Sequence, residues 1–221
     1  MTRPSVTLKI ATSLDGRIAL SNGISQWITG SLSRARVQQM RADHDAVLVG
    51  VGTVLADDPL LTARTVPPPE RQPIRIVADS TARTPAFGRL AQSAGISPVI
   101  IAAAQPDGAR VAALEAAGAD VWRCGDVSGQ VSVARLLDHC ATMGIESIFL
   151  EGGGKLAASF IKAGRVDRIE WFRAPLLIGG DGLPAISDLG LVEMSAAPRW
   201  ALTATETIGD DVLTTYRAIH S

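Results

Sequence analysis

Ile148-Phe149-Leu150-Glu151-Gly152-Gly153-Gly154-Lys155 is the stretch that decides how the chain folds. An apolar run meets three glycines, and a helical pattern from Leu156 to Ala163 follows. Strand, tight turn and helix in that order mark a parallel α/β unit, whose strands are buried on both faces and so lack polar alternation. In such sheets ligands bind beyond the carboxyl ends of the strands, where Glu151 and the glycines fall. Free N–H groups at a helix start attract anions, and glycine lets a phosphate approach the backbone. The stretch is neither G-x-G-x-x-G nor G-x-x-x-x-G-K-[ST], so neither nucleotide-loop fingerprint applies. Taken alone it is either an anion cradle or a packing turn. Glu151 is equally open: it favours the helix start electrostatically, or it binds substrate hydroxyls and assists proton transfer.

The same alternation continues outward. Strands are expected at Val6 to Ala11, Ala46 to Val49, Ile74 to Ala78, Pro98 to Ala103, Asp120 to Arg123 and Asp167 to Ala174. Between them, Ser31 to Asp43 reads as a helix with Ala35, Val37 and Met40 turned inward. A short helical turn is expected at Thr53 to Ala56, a helix from Asp107 closed by Gly118, and another from a Ser132 cap to Gly144. Thr65 to Gln72, with Pro67, Pro68 and Pro69, predicts a stiff exposed loop. Trp200 to Thr207 and Val212 to Ala218 alternate polar and apolar around Ile208-Gly209-Asp210-Asp211, a hairpin signal. The expectation is an α/β protein: a mostly parallel sheet covered on both faces, ending in an antiparallel C-terminal hairpin. With no repeat or linker, residues 1–221 read as one domain.

Composition narrows the function. The net charge is −1, with 47% apolar and 19% charged residues, which fits an ordered globular chain and not a disordered one. Near-neutral charge argues against general nucleic-acid binding. Lys9, Lys155 and Lys162 are the only lysines, so 18 of the 21 cations are Arg, the better residue for bidentate phosphate recognition. Cys124 and Cys140 are too few for a disulfide scaffold and lack zinc-ligand spacing, so no metal is expected. Met1 to Ser5 carries no signal pattern, and no apolar run approaches the ~18 residues of a membrane span. A soluble, cytoplasmic protein away from membranes is the expectation.

Other residues invite chemistry. Val49-Gly50-Val51-Gly52-Thr53 is a second strand-to-turn unit, which packing alone also explains. Asp57-Asp58-Pro59 has adjacent carboxylates with no further ligand nearby. Arg41 and Arg64 either clamp a phosphate or lie on a solvated face. Lys9, inside an apolar strand, either snorkels or holds an anion. Trp27 either stacks on a ring or plugs the core, and the core is the commoner case. His44, His139 and His220 have no partners at triad spacing.

Several runs together resemble one family, the reductase half of the bacterial bifunctional riboflavin-biosynthesis deaminase/reductase. They are Leu8-Lys9-Ile10-Ala11-Thr12-Ser13-Leu14-Asp15-Gly16-Arg17, Ser25-Gln26-Trp27-Ile28-Thr29, and Gly52-Thr53-Val54-Leu55-Ala56-Asp57-Asp58-Pro59 with Leu61-Thr62 and Arg64. Arg71-Gln72-Pro73-Ile74-Arg75 with Asp79-Ser80, then Leu150-Glu151-Gly152-Gly153-Gly154, and Ala174-Pro175-Leu176-Leu177-Ile178-Gly179-Gly180 complete the set. The resemblance implies a dihydrofolate-reductase-like three-layer α/β/α fold, and NADPH-dependent reduction of the ribose C1′ of 5-amino-6-(5-phosphoribosylamino)uracil. It places NADPH on Ala11, Trp27, Thr53, Asp57, Ser80 and on Gly153, Gly154, Lys155, Leu156, Ala157, Ala158 and Ser159. It places substrate on Ser25, Arg41, Leu61, Arg64 and Glu151. Two Arg suit a ribose phosphate, and Ser80 with Arg83 suits the cofactor 2′-phosphate.

Two departures accompany the resemblance. No H-x-E with P-C-x-x-C occurs, so these residues do not perform zinc-dependent deamination, and a separate deaminase is an expected pathway partner. Lys155 stands where a small or hydroxylated residue is expected; it either adds a cation to the cofactor phosphates or faces solvent. The expected chemistry is hydride transfer from NADPH to a ring-opened imine, with Lys9 and Glu151 the candidate catalytic groups near C1′. The alternatives are a same-fold NADPH reductase of another pterin- or pyrimidine-like substrate, or a non-catalytic nucleotide-binding regulator. The resemblance also implies a homodimer, for which the hairpin edge with Trp200 or Tyr216 is a candidate surface.

Overall fold

The computed structural model describes residues 2–219; His220 lies outside the described residues. In chain order the elements are β1 (Ser5–Thr12), β2 (Arg17–Ala19), α1 (Ser31–Ala42), β3 (Ala46–Gly50), α2 (Val51–Asp57), β4 (Ile74–Ala78) and α3 (Arg89–Gln92). β5 (Val99–Ala103), α4 (Gly108–Ala116), β6 (Asp120–Arg123), α5 (Val133–Thr142) and β7 (Ser147–Leu150) follow. The chain closes with α6 (Gly154–Lys162), β8 (Arg168–Arg173), β9 (Leu183–Pro184), β10 (Trp200–Ile208) and β11 (Asp211–Ala218). None of these helices is long and apolar enough to cross a membrane.

The chain divides into two compact units. One takes in Gln38–Glu151 with the residues before Val6; the other takes in Val6–Val37 and the residues from Gly152 on.

The first unit is a parallel sheet in the order β7-β3-β4-β5-β6. β3 and β5 are continuous apolar runs because both faces are covered: all five residues of β5 are buried, and Ala46, Val47, Leu48 and Val49 of β3 are fully enclosed. The expected caps are in place. The Asp107 side chain accepts from the Arg110 N–H at 3.1 Å, and Ser132 from the Arg135 N–H. Both cysteines are free and buried, and burial pushes Cys124 up to about 11 and Cys140 to about 12.

In the second unit β1 and β8 pair in parallel, while β11 runs antiparallel to both β8 and β10. A separate two-stranded piece joins β2 and β9. Asp15 fastens the turn after β1: it accepts from the Ser13 hydroxyl at 2.5 Å and the Gly179 N–H at 2.7 Å. Those bonds, with a further N–H from Ile178, hold its carboxyl down at about 2.

The expected mostly parallel α/β class with antiparallel C-terminal strands is what the structure shows. Four local expectations are corrected. On α1, Val37 is buried, but Ala35 is exposed and Met40 only half-buried. Ser33 takes the inward position one turn before Val37, because its hydroxyl donates to the buried Asp211 carboxylate at 2.6 Å. Trp27 is 70% exposed, with the Arg34 guanidinium 4.5 Å from its ring centroid, so it plugs no core. The hairpin turn is tighter than expected, since Ile208 and Asp211 already pair across it and Gly209 supplies the left-handed residue. Finally, α2 begins at Val51 and α6 at Gly154, each earlier than the apolar pattern suggested.

Candidate functional site

Glu151 ends β7, where its N–H still donates to the Leu48 carbonyl of β3. That last ladder bond aims the side chain beyond the sheet. Arg41, in the last turn of α1, meets it: Nε donates to one carboxylate oxygen at 2.5 Å and Nη2 to the other at 3.0 Å. The side chains are 13% and 11% exposed, so the pair is well shielded. The third Arg41 nitrogen, Nη1, donates to the Thr62 carbonyl at 3.1 Å. Three of the five guanidinium N–H groups are thus committed, and Arg41 acts chiefly as the partner of Glu151 and not as an open clamp.

The Thr62 carbonyl belongs to a loop, residues 58–64, that follows α2. Asp58 and Leu61 both have positive φ, 39° and 57°. Such backbone is unusual for non-glycine residues and persists only where the surroundings over-determine it. Here they do. The Asp58 carboxylate accepts from the Arg89 N–H, the Gln72 side chain bonds both the N–H and the carbonyl of Ala63, and Gln38 accepts from the Arg64 N–H. Leu61 is buried, whereas the Arg64 side chain is exposed and makes no hydrogen bond or ion pair among the described residues. Arg64 is therefore the open cation of this loop.

Thr53 and Asp57 lie on α2, half-buried and exposed. Ser80 follows β4; its hydroxyl donates weakly to Gln130 at 3.3 Å, and its carbonyl accepts from Ala104 and Gln105. Next to it Asp79 is fully buried, with one oxygen taken by the Thr84 N–H and hydroxyl. The other oxygen has no hydrogen-bond partner, and the Arg83 Nε stands 3.9 Å away. A cleft of about 460 Å³ opens there between Leu55, Arg83, Phe87 and Arg110; Phe87 is 94% exposed.

In the second unit, Lys9 and Ala11 share one face of β1, both half-buried, while Leu8 and Ile10 fill the other. The parallel register sets Lys9 beside Glu170 of β8, a buried carboxylate that accepts from the Arg168 side chain and the Thr215 hydroxyl. Ser25 is half-buried in the loop before α1, with Trp27 exposed two residues on.

At the glycine turn the three residues have three jobs. A Cβ on Gly154 would sit 2.7 Å from the Pro184 carbonyl, so this glycine serves packing against residues 184–187. A Cβ on Gly152 would crowd Leu156, whereas one on Gly153 would meet nothing within 4 Å. Gly153 provides no side-chain cap, which leaves the first N–H groups of α6 without a protein side chain in front of them. This open, uncapped helix start fits a phosphate. Further along, the Ala157 N–H bonds the Gly153 carbonyl, Ala157 and Ala158 are buried, and Lys155 and Ser159 are exposed. Anion-binding donors are therefore confined to the residues before Ala157.

Thr62, Gln38, Gln72 and Arg75 were not among the expected site residues. Thr62, Gln72 and Arg75 lie in the runs that carry the resemblance, and Arg75, a cation inside an apolar strand, carries the same sequence signal as Lys9.

Comparison with known proteins gives the family of the chain. The RibD C-terminal domain family matches residues 4–214. The riboflavin biosynthesis protein RibD of Actinobacillus pleuropneumoniae is 40% identical over 218 residues, 98% of this chain and 57% of that protein. The 2,5-diamino-6-ribosylamino-4(3H)-pyrimidinone 5′-phosphate reductase of Methanothermobacter thermautotrophicus is 38% identical, covering 97% of this chain and 98% of that protein. Among solved structures, Acinetobacter baumannii RibD superposes with a TM-score of 0.84 at 26% identity, over 98% of this chain and 58% of that one. The chain thus spans a little over half the length of the RibD proteins and nearly all of the archaeal reductase. The fold is of the dihydrofolate-reductase-like class, mostly parallel strands with helices on both sides and antiparallel strands at the C-terminus.

Proposed function

The chain belongs to the RibD C-terminal domain family, and on that premise we propose that residues 1–221 act as one reductase domain of riboflavin biosynthesis. The substrate is 5-amino-6-(5-phosphoribosylamino)uracil, reduced at the ribose C1′. The observation that carries this reading is the Arg41–Glu151 pair braced against the loop that presents Arg64.

When bound, NADPH supplies the hydride. The residues that would hold it are the uncapped start of α6 at Gly153, by the backbone N–H groups of Gly154, Lys155 and Leu156, then Thr53, Asp57, Ala11 and Trp27. The 2′-phosphate falls to Ser80 and Arg83, beside the cleft of Phe87 and Arg110. Arg64 binds the 5′-phosphate, whose two or more oxygens match a guanidinium fork. Leu61 and Ser25 border the substrate. Glu151, held by both oxygens on Arg41, accepts from ribose hydroxyls in one fixed orientation. Lys9 donates the proton that the nitrogen of the ring-opened imine takes up as C1′ gains the hydride, from a position paired with Glu170 across β1 and β8. The protein's share is positioning and electrostatics. It works in the cytoplasm as a homodimer.

One observation supports a second reading. The relative that this chain covers almost end to end is named for the 2-amino pyrimidinone substrate. Reduction would then precede deamination. The deciding experiment follows loss of NADPH absorbance with each of the two phosphoribosyl pyrimidines. Turnover of the uracil compound alone supports the first reading, and turnover of the diamino compound alone supports the second. NADPH binding without oxidation of either would overturn both in favour of a regulator.

A further inference from the structure

Among the described residues Arg75 is the bulkiest side chain wholly enclosed by the fold, at 0% exposure on the second residue of β4. Among the described residues it forms no ion pair; its donors go to neutral acceptors. Nη1 reaches the Leu60 carbonyl at 3.2 Å and the Ser93 hydroxyl at 2.6 Å. Nη2 reaches the Ser93 carbonyl at 2.8 Å and the Ser97 carbonyl. Nε, also buried, has no hydrogen-bond partner among the described residues. Burying a guanidinium without a counter-ion is costly, and an apolar side chain of similar volume fills such a space without that cost. Burial draws its ionisation down only to about 10, so it stays charged at neutral pH.

The acceptors show what the charge accomplishes. Ser93 and Ser97 fix the guanidinium from one side. Leu60 is the residue immediately before Leu61, whose left-handed backbone is unfavourable for a leucine. Arg41, Gln38 and Gln72 fasten this loop from Thr62 onward, and the Asp58 carboxylate ties its start to the Arg89 N–H. Between the two, Arg75 holds the Leu60 carbonyl, next to the left-handed residue.

We propose that Arg75 is a positioning residue for the substrate: it locks the Leu60–Leu61 turn, and through it the place where the Thr62 carbonyl meets Arg41 and where Arg64 leaves the loop. This rests on the reading that Leu61 and Arg64 contact substrate.

The test compares Arg75→Met and Arg75→Lys with the wild type in two measurements. Native-state hydrogen exchange at the Ala63 and Arg64 amides reads the loop directly and needs no activity. Arg75→Met should speed it by roughly tenfold or more while the β4 amides stay protected. Steady-state kinetics should show the substrate KM raised about tenfold, with the NADPH KM unchanged, and Arg75→Lys lying between. Unchanged loop exchange, or an equal rise in both KM values, would overturn the proposal. Should Arg75→Met not fold, Arg75→Lys decides by the same two readings. If the wild-type enzyme turns over neither pyrimidine, the functional reading fails while the exchange arm still decides what Arg75 does to the loop.

Discussion

Arg41 and Glu151, separated by 110 residues in the chain, meet as a two-pronged ion pair, and the same Arg41 guanidinium reaches the Thr62 carbonyl. One side chain thereby connects the carboxylate at the end of β7 to the loop that carries Arg64. A shielded pair of this kind loses more when one partner is removed than it contributes as a pair, because the survivor is left uncompensated.

Glu151→Gln keeps the shape but surrenders the charge. With the charge-assisted contacts to the ribose hydroxyls weakened, kcat/KM should fall by about 10²-fold, with NADPH affinity preserved. Arg41→Met should cost about 2–4 kcal/mol of stability, measured by denaturant unfolding. In a double-mutant cycle the two changes should couple by about 1–3 kcal/mol. Additive effects would mean that the pair does not act as a unit.

Arg64→Ala tests the phosphate contact. With no protein partner to lose, the variant should unfold at nearly the wild-type temperature. The substrate KM should rise by at least about tenfold while the NADPH KM stays put, the pattern for a lost charge-assisted contact made equally in ground and transition states. Equal weakening of both would assign the guanidinium elsewhere.

Arg83→Ala addresses cofactor choice. It should raise the KM for NADPH about tenfold and leave that for NADH nearly unchanged, since the two differ only in the 2′-phosphate. Removing Arg83 also takes away the nearest cation to the unpartnered Asp79 oxygen. Binding titrations alongside a thermal melt separate that local loss from the effect on cofactor.

Acid stability should depend on Asp45. Burial works against its carboxylate, but the Glu146 and Ser147 N–H groups, the Ser147 hydroxyl and Arg71 together hold it below the usual range. A carboxylate with a depressed folded-state value stabilises the fold above its unfolded value, near 3.9, and that contribution is lost as the pH falls through the folded value. Asp45→Asn should therefore flatten the acid limb of stability against pH and leave its slope above about pH 6 unchanged. A wild-type slope below pH 4 in that variant would place the effect on another group, Asp15 being the first to examine.

By itself the amino-acid sequence determined the element types. Apolar runs such as Val99–Ala103 can only be covered strands, Gly209 can only be a turn, and the Asp107 and Ser132 caps announce their helices. It also singled out Glu151 and Lys9, because ionisable residues at strand ends or inside apolar strands are rare without a reason; Arg41 and Arg64 stood out only through the family resemblance. What it left open was pairing. Nothing local to Arg41 tells that its fork faces a carboxylate 110 positions away, nor that Lys9 lies beside Glu170 in the register of β1 and β8. Trp27 and Ala35 went the other way from their residue types, because burial is decided by what lies opposite and not by hydrophobicity alone. The three glycines look identical in the chain; only the approach of Pro184 to Gly154 and the open space at Gly153 tell packing from binding. Such distinctions arise from contacts between distant segments, and only the folded chain brings those segments to within a few ångströms.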